Sequence, residues 1–380
     1  MNRILTSAAV AATLAAALLA PAPDAAASAA DPLATPARAS ALASRAMMLS
    51  VTQAGKRLVA VGERGIVLYS DDQGAHWQQA AVPVAVTLTT VFFADARHGY
   101  AAGHDGVVLS TADAGASWSK RLDGNALNAM LLADAEQALS KAKAEADRAP
   151  DNAAARTALQ RADNRLQDVQ AGTKFGPSRP WLGLWFRNAN EGYVVGAYGQ
   201  ALATRDGGAH WTSVADRIDN PDGLHFNAIN HLGGDALAIA GEGGKVYRSN
   251  DGGAHWQTLD TGYQGQLYGV TGLPGDGMLA FGFGGHLLRS DDGGQHWQPV
   301  TSPTGRALIA AAWTRSGALL LATRDGGILR STDQGRSFTI AAKGEGRELA
   351  GAALVNDGGF MALAGRRGVV LLAVANAEAK

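Results

Sequence analysis

Ser70-Asp71-Asp72-Gln73-Gly74-Ala75-His76-Trp77 decides the fold, because it does not occur once. It returns as TADAGASW at 111–118, TRDGGAHW at 204–211, SNDGGAHW at 249–256, SDDGGQHW at 290–297 and STDQGRSF at 331–338. The shared form is Ser/Thr-x-Asp-x-Gly-x-x-Trp/Phe. Its aromatic positions, Trp77, Trp118, Trp211, Trp256, Trp297 and Phe338, lie 41, 93, 45, 41 and 41 residues apart. A period near 41 is the size of one four-stranded propeller blade. The box also has a mechanical reading. The carboxylates of Asp72, Asp113, Asp206, Asp251, Asp292 and Asp333 can accept N–H groups of their own turn. The glycine supplies a positive φ, and the aromatic ring packs back across the hairpin. These residues fold a turn and need do no chemistry.

The text before the box repeats as well. VFFADARHGYAAG at 91–103 parallels LWFRNANEGYVVG at 184–196. Each unit reads as strand, turn, strand ending in Gly, tight turn, strand, box, strand, with period-2 apolar runs between Gly and Asp signals. Six units end at the six box aromatics. A seventh, Arg347 to Ala373, has no box and stops after three strands; its AGRRGVVL at 364–371 matches VGERGIVL at 61–68. The expected fold is all-β: a seven-bladed β-propeller over 47–375. Residues 31–46 are a linker or the closing strand. In the second case the segment near Ala39–Ser44 supplies the missing outer strand, which removes an open sheet edge.

The 93-residue spacing holds something different. From Asn125 to Ala171 the chain loses glycine. Leu127, Met130, Leu131, Ala135, Ala138, Leu139 and Ala142 follow helical spacing. Ala149-Pro150-Asp151-Asn152 breaks the run, Asp151 is a fair N-cap, and Leu159, Leu166 and Val169 continue the stripe. The reading is an α-helical hairpin over 125–172, inserted between blades two and three, either a decoration of the ring or a docking arm.

Composition fits a ring of tight turns. Glycine numbers 48 of 380, nearly twice the usual share of about 7%, without the proline excess (12 Pro) or low hydrophobicity that disorder requires. The formal net charge of −1 argues against a nucleic-acid binder. The absence of Cys excludes disulfides, thiolate metal sites and a Cys-linked lipid. Arg3, the uncharged run Ile4–Ala20, and Ser28-Ala29-Ala30 have the layout of a secretory leader cleaved after Ala30, with Ala27 a competing site. A short transmembrane anchor is the alternative. The expectation is an exported, periplasmic, monomeric protein.

The turns between second and third strands should ring the channel mouth. They carry Arg64, His104, Asp105, Tyr198, Glu242, Phe283, Arg324, Arg366 and Arg367, the candidate partner-binding residues. Arg64, Arg324, Arg366 and Arg367 come from blades six, seven and one, which adjoin in a closed ring. A one-sided arginine cluster suits carboxylates or phosphates; a solvated loop set is the plainer alternative. His76, His210, His255 and His296 occur one per blade and cannot converge on a metal. The Asp-x-Asp-x-Gly of the box is not a calcium loop, because position twelve from Asp291 is Ser302 and not Glu. No nucleophile elbow, zinc motif or phosphate loop occurs, and no metal or cofactor is expected.

The boxes resemble the Asp-boxes, or bacterial neuraminidase repeats, of sialidase-type propellers. VGAYG at 195–199, NPDGLHFNAI at 220–229 and RSDDGG at 289–294 resemble, more specifically, the photosystem II stability/assembly factor-like family over about 47–375. That resemblance implies an exported, non-enzymatic scaffold that binds membrane-protein partners through its arginine-bearing face and assists their assembly or activity. In bacteria without photosystems the implied partner is an envelope complex, such as an RND-type exporter. The alternative is a glycoside hydrolase of sialidase-like fold. Such an enzyme needs paired carboxyls across the scissile bond. Asp105 and Glu242, on blades two and four, are the one tempting pair.

Overall fold

The computed structural model describes residues 30–174, 176–355 and 359–374. The chain divides into Met1–Asp31 and Pro32–Lys380. The leader reading falls almost wholly on residues outside the described ones, and all the described strands and helices belong to the second unit. No helix among the described residues is long and apolar enough to cross a membrane.

Blade one sets the pattern. Met48–Ala54, Arg57–Gly62, Val67–Ser70 and Gln78–Gln79 pair antiparallel in chain order. Its second strand is apolar without alternation, and Leu58, Val59, Ala60 and Val61 are fully buried. A blade is covered on both faces by its neighbours, so its middle strands read as continuous apolar runs. Five more four-stranded sheets follow, then a seventh with three strands among the described residues, Leu349–Val355, Phe360–Gly365 and Gly368–Ala373.

Seven separate apolar clusters fill the gaps between neighbouring blades. Val59 meets Leu88 between blades one and two, and Leu122 meets Leu184 between two and three. Val195 packs with Phe226, Val246 with Leu267, Phe281 with Leu308, and Leu320 with Leu363. The last cluster joins Met48 and Leu58 of blade one to Val355 and Ala362 of blade seven. The ring therefore closes, and it closes by side-chain packing.

Residues 39–44 supply no outer strand to blade seven. The segment instead runs along blade one. Ala37 N donates to Val82 O (3.0 Å), Ala85 N to Pro32 O (2.8 Å), and Ser40 N to Gln79 Oε1 (3.0 Å). Lys120 Nζ of blade two donates to Leu33 O (2.9 Å). A single 3-10 turn, Ala43–Arg45, then lies against Gly368 of blade seven. Pro32 and Pro36 lack the donors a ladder needs, while Leu33 and Ala43 find buried niches in two blade clusters. One segment thus touches blades two, one and seven.

The insertion is two helices, α1 (Gly124–Arg148) and α2 (Ala153–Thr173). Asp123 caps α1 by accepting from Asn125 N and Ala126 N (3.1 and 3.0 Å). The cap of α2 is Asn152, whose Oδ1 accepts from Ala154 N and Ala155 N (2.9 and 3.3 Å). Asp151, the expected cap, lies one residue too early, because the helix begins at Ala153. Leu127 is buried, with Met130 and Leu131 packed beside it against the cluster of blades two and three. No residue of α2 is buried. An Arg165–Asp216 ion pair ties α2 to blade three. The feet touch: a Cβ on Gly124 would sit 2.3 Å from Pro177 Cβ.

The boxes form one turn six times. In blade one, Asp72 Oδ1 accepts from His76 N and Ser70 Oγ, both at 2.8 Å, and Ser70 Oγ accepts from Gly74 N (2.8 Å). Trp118, Trp256 and Trp297 each donate Nε1 to the carbonyl of their box glycine (2.9–3.1 Å). Hydrogen bonds to the charged form, the backbone N–H of the box histidine first, hold the Asp72, Asp206 and Asp292 carboxyls at about 2. The folded values lie below the unfolded one, so this stabilisation is complete above pH about 4 and is lost as pH falls toward 2. Acid unfolding followed by circular dichroism should begin below pH 4. Replacing two box aspartates by Asn should leave less stabilisation to lose over that window and flatten the profile. An unchanged pH profile in that double variant would remove the boxes as its cause.

Candidate functional site

The turns between second and third strands share one face, here the turn face, and their geometry explains their glycines. In blade one, Gly62 needs no special φ, but a Cβ there would come 2.1 Å from Met47 O. The turn's last residue, Gly65, has φ +72 and the same closeness to Val84 O. Between them the tip residue is left-handed whatever its identity: Arg64 (φ 53), Asp105 (φ 53), Tyr198 (φ 58), Gly243 (φ 64) and Gly284 (φ 65). A bulky residue there is a conformational outlier. Blades six and seven are built differently. Thr323 Oγ1 accepts from Gly327 N (2.7 Å) around Arg324 and Asp325, and Arg366-Arg367 form a two-residue hairpin between paired Gly365 and Gly368.

Arg64, His104, Tyr198, Phe283, Arg324, Arg366 and Arg367 are exposed at this face, while Asp105 and Glu242 are half-buried. Tyr198 and Phe283 are 62% and 60% exposed, large values for aromatics and suited to an interface. The arginines are only partly a group. Arg366 and Arg367 share a pocket of about 590 Å3 with Arg347, Glu345 and Glu348. Arg366 pairs with Glu348 at 3.2 Å and Arg347 with Glu345 at 2.7 Å. Arg324 instead lies 5.5 Å over the Tyr268 ring of blade five. It lines the central channel, a cavity of about 820 Å3 walled by the inner strands of all seven blades.

A second group gathers across the ring. Tyr198 N donates to His225 Nδ1 (3.2 Å), their rings meet edge to face at 4.9 Å, and Glu242 lies 3.7 Å from His225. Arg179 stands 5.6 Å over the Tyr198 ring. Asp105 carries the blade-two turn onto the hairpin: its carbonyl would be 2.7 Å from a Cβ on Gly124. Asp105 and Glu242 belong to turns of non-adjacent blades, two and four. Sequence reasoning missed Arg179, His225, Tyr268 and Arg347. The charge run Glu345-Gly346-Arg347-Glu348 was the available signal for the last. The box histidines stay apart, each with Nδ1 at 2.6–2.7 Å from its own aspartate. Among the described residues no three His, Asp or Glu side chains are grouped to hold a metal.

The family model for the photosynthesis system II assembly factor YCF48 matches residues 69–137 and 177–369. The unmatched interval covers all of α2 and the end of α1. No curated protein sequence matches the chain. A solved structure described as YCF48 bound to D1 peptide is similar with TM-score 0.61 and 16% identity, over 88% of this chain and 95% of that one. YCF48 from Cyanidioschyzon merolae gives TM-score 0.42 and 19% identity over 51% and 67%. The WD40 β-propeller domain of Doa1 gives 0.56 and 8% over 90% and 95%. At such identities the YCF48–peptide and Doa1 likenesses are of fold.

Proposed function

The chain belongs to the family of the photosynthesis system II assembly factor YCF48, and from that premise we propose that it is a non-enzymatic platform that binds a membrane-protein partner through its turn face. The observation that carries this reading is the corner where Arg64, Arg366 and Arg367 stand exposed on adjoining blades, beside a pocket that holds Arg347. Planar guanidinium groups bind carboxylates bidentately. A solved structure of a family relative is described as YCF48 bound to D1 peptide. The proposal places this chain in the periplasm after export, working as a monomer on an envelope complex, with an RND-type exporter the first partner to try. The hairpin, rooted on the same face, serves as a second contact.

The test is affinity capture with the purified candidate complex, using wild type, Arg366→Glu/Arg367→Glu, and a chain with residues 125–172 replaced by a short Gly linker. Capture should fall at least about tenfold in the charge variant, as expected for loss of central arginine contacts. Equal capture by all three defeats the interface. Turnover of sialosides or other glycosides that Asp105→Asn or Glu242→Gln abolishes would defeat the platform reading altogether.

A further inference from the structure

Blade seven ends differently from the other six. Their outer strands are Gln78–Gln79, Ser119–Leu122, Thr212–Ser213, Gln257–Asp260, Gln298–Pro299 and Thr339–Ala342. These are short, and most are polar. The last strand of blade seven is Gly368–Ala373, six residues of sequence GVVLLA. A long apolar edge without charge, proline or bulge is what folded proteins ordinarily avoid, because its free N–H and C=O groups template another strand.

The register shows which groups are free. The hairpin pairs Gly365 with Gly368, Leu363 with Val370 and Met361 with Leu372, and Val374 N donates to Gly359 O. Even-numbered residues therefore bond inward, and Val369, Leu371 and Ala373 aim their backbone groups outward. No backbone hydrogen bond from another described residue reaches that outer edge. Side chains on both faces of the strand are already seated: Val369 and Leu371 against blade one, Leu372 against blade six. The strand is packed on both faces, and among the described residues nothing pairs with its outer backbone edge.

We infer that this edge is a strand-docking site for an extended segment of a partner polypeptide, which adds as the fourth strand of blade seven. This rests on the platform reading and names where on the ring the partner is held. In the other blades the fourth strand runs antiparallel to the third. A segment added the same way travels toward the turn face and ends beside Arg366, Arg367 and Arg45. The pocket there is lined by Arg347, Arg366, Arg367, Gly368 and Val370. Exposed Leu42 and Met47, 65% and 40% accessible, flank the 3-10 turn that abuts Gly368. The fitting occupant is thus a β-prone segment whose leading end carries a carboxylate, held by main-chain hydrogen bonds along the edge and by arginine at its tip.

The test uses the full chain and a synthetic ten-residue peptide of alternating Val and Thr ending in Glu with a free carboxylate. Amide hydrogen exchange should show Val369, Leu371 and Ala373 fast in the free protein and protected at saturating peptide. Ala373→Pro removes one outward N–H at an exposed position and should weaken binding about tenfold while leaving the melting temperature unchanged. An amidated peptide ending in Gln should bind more weakly to wild type and equally to Arg366→Glu/Arg367→Glu. Fast edge amides that stay fast with peptide overturn the inference. Slow edge amides in the free monomer show the chain covers its own edge and overturn it too. Protection that instead rises with protein concentration assigns the edge to a second copy, which also overturns it. Protection with peptide but undiminished partner capture by the charge variant would instead defeat the turn face as the partner's contact while leaving the edge intact.

Discussion

Gly244→Val should leave little or no folded protein. The residue has φ +69, and a Cβ would lie 1.7 Å from Tyr263 O, a backbone atom that cannot rotate away. Gly244 N also donates to Gly265 O (2.7 Å), and Thr261 Oγ1 donates to Gly244 O (2.7 Å). The turn of blade four is thereby stitched to the link into blade five. A β-branched residue in left-handed backbone adds its own strain. A combined cost of at least about 4 kcal/mol is expected, against total stabilities of about 5–15 kcal/mol. Two other glycines make the test specific. Gly243, at φ +64, occupies the tip that Arg64, Asp105 and Tyr198 fill elsewhere, so Gly243→Asn should be nearly neutral. Gly305 has an ordinary φ and nothing within 4 Å of its would-be Cβ, so Gly305→Ala should be silent. Thermal melts of the three variants check this, and a soluble Gly244→Val chain melting near wild type would refute it.

Gly368→Val should open the seam. Gly368 has φ +89, and its Cβ would lie 2.2 Å from Ser44 O. Six of the seven blade interfaces are joined by a covalent link; among the described residues, blades seven and one are joined by a packed cluster and by the segment 32–46. Displacing the Ala43–Arg45 turn should free that segment, so trypsin should cut at Arg38 and Arg45 well before the ring is degraded. A comparison variant, Leu58→Ala, empties a fully buried position of the same cluster and should cost about 2–5 kcal/mol without selective cleavage there. If Gly368→Val leaves the tryptic pattern unchanged, the segment is not what clasps the seam.

The repeat was legible because its causes are local. A box aspartate finds its partners within four residues, so the sequence carries the whole turn, and recurrence carries the blade count. The same holds for the tip positions of the turn face. What stayed hidden depends on residues far apart in the chain. Nothing near Ser40 announces that it bonds Gln79, 39 residues on. Arg366 reads as a free cation until Glu348, 18 residues earlier, is placed beside it. Arg324 reads as a neighbour of Arg366 until Tyr268 of blade five lies under it. The cap of α2 was missed by one residue, because Asp151 and Asn152 are equally good acceptors and the choice falls to the loop that Arg156 closes on Pro150 O (2.8 Å).

The left-handed tips of blades one to five have a consequence for how such a surface can change. The glycines that flank each turn are held by closeness to neighbouring backbone or by their backbone angle, so selection on folding fixes them. The tip is spared the first constraint, and pays only a modest backbone penalty for any residue but glycine. Arg, Asp, Tyr, Gly and Gly now stand there in order. Each tip is therefore an alphabet position that a lineage can rewrite singly, without renegotiating the ring beneath it. A propeller of this kind can keep its architecture through long divergence while its partners are exchanged one blade at a time.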